Sequence, residues 1–484
     1  VCHGGTPPDP PKTGRGAKFR CLICGEMAED QHIKNEGAQG RMGSQLMAIV
    51  AEGRGGRIYL PADDEQLDVL NQVHESWKPE QPLANDPRNL WCIPYGLATF
   101  GDLFTKRQLA ALNTLSDLIA EVRFLVLRDA VAAGYVDDQI SLEEGGSGAS
   151  AYADAIATFL GFIVSRQSDL ANSLNRWEPI AQCPRQLFAR HAIPMVWSFA
   201  EGNPLGESSG AFEVLLDNML RALKSPLFNH RRLRVGTCVQ RDAQVLATDS
   251  NKVVVSTDPP YYDNISYSDL SDFFYVWLRR SLGKVHPKLF STMLTPKKDE
   301  IVANPYRFDG SKNRAKEFFE NALGTSFARM RALQDSDYPL TVYYAFKQSE
   351  SDDSDSEGEE GSDSMRASTG WETMLEGLIS AGLEITGTWP IRTEMGSRMI
   401  GQGTNALASS IVLVCRPKPT ELQVASRGSF LTTLKKELPE AVRLLQHGNI
   451  APVDLAQASI GPGIGVYSRF AKVMEPDGTA MSVR

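Results

Sequence analysis

The stretch Val253-Val254-Val255-Ser256-Thr257-Asp258-Pro259-Pro260-Tyr261-Tyr262-Asp263 does most to limit what this chain can fold into. Three β-branched residues after the polar turn Asp249-Ser250-Asn251-Lys252 predict a buried strand. Two prolines then stop it, because proline donates nothing to a ladder and holds the residue before it extended. Asp258 is thereby placed at the carboxyl end of a strand, where open α/β sheets put their ligands. An isolated Asp-Pro-Pro is usually no more than a strand-ending turn. Here a strand precedes it directly and a helix-like run follows.

The surroundings extend the α/β pattern. Arg234 to Gln240 reads as a strand that ends in Asp242-Ala243, about ten residues before the next one. Asp242 then either caps a helix or faces a ligand. Leu270, Phe273, Phe274, Trp277, Leu278 and Leu282 recur at helical spacing and predict a core-facing helix. Residues 283–313 form a basic loop region with Lys284, Lys288, Lys297, Lys298 and Arg307. A helix at 316–333, a strand at 338–346, a helix at 371–381 and strands at 383–389 and 409–415 complete a domain over 190–418. An acidic run at 349–364, expected to be disordered, interrupts it, and Arg392 to Asn405 reads as a loop.

The chain before this domain is of another kind. Residues 1–62 are glycine-rich and contain Cys21-Leu22-Ile23-Cys24-Gly25, one knuckle of a zinc ribbon or simply two unligated thiols. A short helix over 43–51, a plain turn at Gly53-Arg54-Gly55-Gly56 and an edge strand at 57–61 follow. Residues 66–90, with Pro79, Pro82 and Pro87, read as a surface connection. The region 63–189 is otherwise helical, with Thr105 capping a helix that runs to about Ala133 and a second helix over 149–174. Its Arg107, Arg123, Arg128 and Arg166 are either solvated faces or phosphate contacts. Ile193 to Gly206 is an apolar run followed by a glycine turn with Gly202 and Gly206, and a helix starts near Phe212. Residues 419–484 form a helical extension.

Composition excludes some classes. With 42% hydrophobic and 23% charged residues among 484, the chain reads as globular. No stretch has the length and apolarity of a membrane span. The opening Val1-Cys2-His3-Gly4-Gly5 is polar rather than signal-like, and the seven scattered cysteines suit a reducing compartment, so a cytoplasmic location is expected. Net charge is −9, yet residues 349–363 hold eight acids and no base, leaving the remainder at −1. A near-neutral body can carry a local basic groove.

An Asp-Pro-Pro-Tyr at a strand end resembles the catalytic motif of S-adenosylmethionine-dependent amino methyltransferases, which act on adenine N6 or cytosine N4. The run Asp258 to Arg279 resembles more particularly the DUF1156 family, adenine-specific DNA methylases associated with a zinc ribbon. Gly14 to Cys21, Val342 to Glu350, Gly403 to Val414 and Gly448 to Gln457 are similar to that family as well. The resemblance implies a Rossmann-like class I methyltransferase sheet and methyl transfer to adenine N6 in a modification or phage-defence system. S-adenosyl-L-methionine would be the cofactor and zinc a further ligand. DNA and other subunits of such a system would be partners, with no membrane.

In that scheme Asp258, Pro259, Pro260 and Tyr261 hold the target amine and Asp242 faces the cofactor. Gly202 and Gly206 belong to a degenerate cofactor loop, or to a surface turn beside the site. Cys21 and Cys24 are the metal ligands. Family members also carry an upstream Asp-Pro-Phe-x-Gly-Gly-Gly loop that this sequence lacks, so the sheet is expected to be incomplete and the chain to match a carboxyl-terminal portion. Two alternatives stay open: a non-catalytic DNA-binding or partner subunit, and a methyltransferase for RNA or protein glutamine.

Overall fold

A computed structural model describes residues 9–14, 16–225, 236–245, 252–262, 265–344, 369–392, 409–419, 421–447 and 452–483. The chain divides into two compact units, Val1–Val235 with Ser266–Lys298, and Gly236–Ile265 with Asp299–Arg484.

The first unit opens with a small antiparallel hairpin of β1 (Phe19–Arg20) and β2 (Met27–Ala28), then α1 (Asp30–Ala38). A second hairpin joins β3 (Ala48–Gly53) to β4 (Gly56–Pro61). The helix expected over 43–51 is therefore corrected to a strand. Its apolar residues Ile49 and Val50 are β-branched, and the two-residue turn Arg54-Gly55 closes a hairpin, which decides the period. The following connection is not all surface. It contains α2 (Asp64–Gln72), capped by Asp63 accepting from the Gln66 amide, and it buries Leu83 and Leu90.

The long helices answer the expectation closely. α3 (Lys106–Ala132) starts in a capping box in which Thr105 and Gln108 satisfy each other's amides, and Leu109, Leu112 and Ile119 line its buried face. α4 (Ala149–Leu170) packs against α3, against α5 (Phe212–Leu223) and against α6 (Tyr267–Leu282). Two short strands, β5 (Arg176–Glu178) and β6 (Cys183–Arg185), pair between them in sequence. Aromatic rings seal this bundle: Phe104 stacks on Phe273 at 5.7 Å, and Trp277 meets Phe104 edge-on at 5.3 Å.

The second unit is built on a four-stranded sheet. Its strands are β7 (Ser256–Thr257), β8 (Leu340–Tyr344), β9 (Leu383–Arg392) and β10 (Ser409–Pro417), in the order β7-β8-β10-β9. β7 and β8 are parallel, and β10 runs antiparallel to both β8 and β9. α7 (Lys312–Leu333) lies between β7 and β8 in sequence, as a parallel pair requires of its crossover. It packs with α8 (Thr369–Ser380) over one sheet face, where Phe319, Phe327, Leu340, Val342, Leu378, Leu413 and Cys415 are buried.

The three valines were expected to form a buried strand. Only Ser256 and Thr257 are strand, and Val253 and Val254 are exposed. The reason is position: β7 is the edge of the sheet, and Val253 bonds instead to Leu333 and Asp335 at the end of α7. The chain closes with β11 (Val424–Ser426), α9 (Arg427–His447), α10 (Pro452–Ser468) and β12 (Lys472–Met474), β11 and β12 being parallel. α10 packs on β9, so this segment belongs to the sheet domain and is no separate extension. The acidic run 349–364 lies outside the described residues. Among the described residues the protein is mixed α/β, and no helix is long and apolar enough to cross a membrane.

Candidate functional site

Asp258 directly follows Thr257, the β7 residue level with Val342 of the parallel strand β8. The antiparallel pairs Ile411–Tyr344, Ser410–Ile391 and Ser409–Arg392 bring the carboxyl ends of β8 and β9 to the same edge of the sheet. Asp258 thus stands on the edge formed by three strand ends, the usual ligand edge of an α/β sheet.

Its neighbours are anchored. Pro259 is buried, and Pro260, Tyr261 and Tyr262 are half-buried. The Tyr261 ring meets Tyr344 edge-on at 5.1 Å, and Tyr344 in turn lies 5.5 Å from Trp371 at the start of α8. Tyr262 meets Phe319 of α7 edge-on at 5.2 Å, and its carbonyl accepts from the Ala303 amide at 2.8 Å. A Cβ added at Gly370 would sit 2.9 Å from Tyr262 Cβ and 3.2 Å from Tyr344 Oη, so only glycine lets α8 approach so closely. Asp258 itself is exposed, with no salt bridge among the described residues, and partial desolvation raises its pKa above the ordinary aspartate value. The edge therefore presents one carboxylate, followed in the chain by two prolines and an anchored aromatic ring.

Tyr344, Trp371 and Gly370 were not foreseen as supports. The signal was present as a tyrosine pair ending a strand and a tryptophan opening a helix, but nothing in the sequence tells which strand end they share.

The cofactor residues fare differently. The strand expected before Asp242 is not formed over Gly236–Gln240, which has no regular structure; residues 231–235 lie outside the described part. Asp242 accepts the Gln244 amide at 2.9 Å and caps a 3-10 turn, Ala243–Val245. Short-range capping has claimed the carboxylate. Gly202 and Gly206 lie in the first unit, whereas Asp242 and Asp258 lie in the second. A Cβ at either glycine would meet only ordinary contacts, 3.6 Å to Pro184 and 3.5 Å to Asn203. Ile193 to Gly206 is no strand, since Ile193 only bridges Leu90. Asp242 is thus engaged with its own turn, and the two glycines belong to the other unit.

The cysteine pair sits on the first hairpin. The Gly25 amide donates to the Cys21 carbonyl at 3.0 Å and the Cys21 amide to Glu26 at 2.8 Å, a knuckle turn that needs Gly25 at φ +75°. Both thiols are exposed. The Cys21 thiol is lowered by hydrogen bonds from the Cys24 and Ile23 backbone. Such a turn offers two of the four ligands of a tetrahedral zinc. Cys2 and His3 lie outside the described residues, within which no group of three or more metal-ligating side chains occurs.

The four accessory arginines are committed to carboxylates. Arg107 pairs with Glu201, Arg123 with Asp154 at 2.6 Å, Arg128 with Asp129 at 2.8 Å and Arg166 with Asp169 at 2.6 Å. In the basic loop region Lys297 pairs with Asp272 and Arg307 with Glu300. None of these six is a spare cation.

A search of family models finds no match to the chain, and no curated protein or solved structure matches it either.

Proposed function

We propose that this protein transfers a methyl group from S-adenosylmethionine to the exocyclic N6 amine of adenine in DNA. The observation that carries the reading is Asp258, held at the carboxyl edge of a parallel strand pair and followed by Pro259, Pro260 and an anchored Tyr261. The sequence resemblance to amino methyltransferases supports it independently of the geometry.

An aniline-like nitrogen is a poor nucleophile because its lone pair is delocalised into the ring. Two acceptors on its N–H groups draw it towards tetrahedral geometry and free that pair. Asp258 supplies one acceptor and the Pro259 carbonyl, fixed by the following proline, the other. The nitrogen would take the methyl as the donor's S–CH3 bond breaks and leaves a neutral thioether, and one N–H proton would pass to Asp258. A base must leave the duplex to reach this edge, at a cost of a few kcal/mol. Stacking on Tyr261 would return about 1–3 kcal/mol.

The test is methyl transfer from labelled donor to DNA by the full chain and by Asp258→Ala. Loss of transfer is expected, since misplaced reacting groups commonly cost about 100-fold. A variant within about threefold of the parent sinks the assignment. One observation favours a second reading, a DNA-binding or partner subunit without catalysis: Asp242 is tied into its own turn. Calorimetric binding of S-adenosylmethionine separates the two, since only the enzyme binds it.

A further inference from the structure

We propose that the first unit carries a nucleotide-binding pocket between the segment Trp77–Gln81 and the last turns of α6. The cavity measures about 270 Å³ and is lined by Trp77, Gln81, Val276, Arg279, Arg280 and Met293. All six belong to one unit.

Arg279 is the first part of the argument. Its guanidinium makes no hydrogen bond or salt bridge among the described residues, and its Nε is buried and unpartnered. An unpaired guanidinium at a cavity wall, with its Nε out of contact with solvent, is a site for an oxyanion, which it can grip through a fork of donors. Arg280 stands beside it. One of its terminal nitrogens holds both oxygens of Asp117, at 2.8 and 2.9 Å, and its guanidinium lies 4.7 Å from the Trp77 ring. Its Nε is likewise buried without a partner. With one carboxylate against two guanidiniums, the pocket keeps a net positive charge.

Gln81 adds the second requirement. Its Oε1 is buried and unpartnered, an acceptor waiting for a donor. A nucleotide supplies both, a phosphate for the guanidiniums and a hydroxyl or amine for the amide. Of the apolar lining residues, Met293 is exposed and can meet the sugar or base, whereas Val276 is buried. The volume lies just below the usual lower bound of about 300 Å³ for ligand cavities, which suits one nucleotide unit.

The wall is preorganised. The Gly101 amide donates to Pro79 at 2.7 Å, the Phe100 amide to Gln81 at 3.1 Å and Asn113 Nδ2 to the Trp77 carbonyl at 2.7 Å. Trp77 also meets the buried Trp277 edge-on at 5.5 Å. A wall so tied loses little further freedom when a ligand enters.

The nucleotide is either free or part of a strand, and the experiment separates the two. The full chain is titrated with adenosine 5′-monophosphate by calorimetry and with a labelled single-stranded oligodeoxynucleotide by fluorescence polarisation. Arg279→Gln, Arg279→Lys and Gln81→Glu are compared with the parent, and thermal melting verifies that each variant folds. Arg279→Gln is expected to weaken binding roughly tenfold or more, as loss of a charge-assisted contact does. Arg279→Lys falls between, and Gln81→Glu weakens it by repelling the phosphate. Binding of the mononucleotide assigns a free ligand. Binding of the oligonucleotide alone, with a salt dependence that drops by about one ion in Arg279→Gln, assigns a strand phosphate. The proposal is overturned if the parent binds neither probe, or if Arg279→Gln and Gln81→Glu both stay within about twofold of it. The outcome is independent of Asp258, whose replacement leaves this pocket untouched.

Discussion

Gly370→Ala tests whether the tyrosines after the Asp-Pro-Pro motif are clamped by α8. A methyl at this position would lie 2.9 Å from Tyr262 Cβ, where ordinary contact begins near 3.4 Å, so one partner must retreat by about half an ångström. Tyr262 has little room: its ring meets Phe319 edge-on and its carbonyl holds the Ala303 amide. Overpacking of this kind costs about 1–3 kcal/mol. Replacing glycine by alanine in a helix returns up to about 1 kcal/mol, so a net loss of up to about 2 kcal/mol is expected. Gly324→Ala in α7 is the control, because a Cβ there meets nothing within 4 Å. It should gain about 0.5–1 kcal/mol. Urea and thermal transitions of the two variants and the parent, monitored by near-ultraviolet circular dichroism, give the comparison. If Gly370→Ala is as stable as Gly324→Ala, Tyr262 is not clamped and the reasoning fails. If the clamp is real, Gly370→Ala also lowers the proposed methyl transfer, because Tyr261 and Asp258 move with Tyr262.

Three further outcomes follow from the same geometry. In the proposed reaction Asp258 works as a carboxylate, so kcat/KM should fall as pH drops through its pKa, which desolvation places above the usual 3.8; a pH profile flat down to 3.8 refutes the role. The raised pKa also means that the native state binds the proton more tightly than the unfolded chain, so Asp258 favours folding below 3.8 and this contribution is lost as pH rises through its folded-state pKa. Cys21 should be alkylated by iodoacetamide well before Cys92 and Cys415, whose burial pushes each thiol up to about 12; mass spectrometry showing equal rates would exclude an activated knuckle. Phe327→Ala removes a fully buried ring between α7 and the sheet and should cost about 3–5 kcal/mol, read as a lowered urea midpoint; a loss below about 1 kcal/mol would show that this core is loosely packed.

The elements with strong periodicity were legible in the sequence. The spacing of Leu109, Leu112 and Ile119 and the cap at Thr105 marked α3, and the apolar run Ile411-Val412-Leu413-Val414 marked β10. The failures have local causes. Ile49 and Val50 gave too short an apolar run for its period to decide, and the two-residue turn after them was the better guide. Val253 to Val255 carried the right propensity for a strand, but propensity does not say whether the strand will be central or at the edge. Asp242 was placed at a strand end by the run Arg234 to Gln240 before it. Its side chain instead bonds two residues ahead, a competition that aspartate often wins in irregular backbone.

The candidate sites differ in how far the sequence can reach them. Asp258 is readable because its chemistry is contiguous: strand, carboxylate, prolines and ring follow in one run. Arginines are not readable in this way. Each of Arg107, Arg123 and Arg280 is paired with an acid at least thirty residues away, the last with Asp117 across 163 positions. A sequence shows the total of cations and anions but not the pairing, and an arginine already matched to a carboxylate offers little to a phosphate. Only the fold removes the committed ones. Arg279, adjacent in sequence to the committed Arg280, is half-buried and left with an unpartnered, buried Nε at a cavity wall that also holds an unpartnered amide oxygen. A buried donor in that condition costs stability unless something fills its place, which is the physical reason to expect a ligand there.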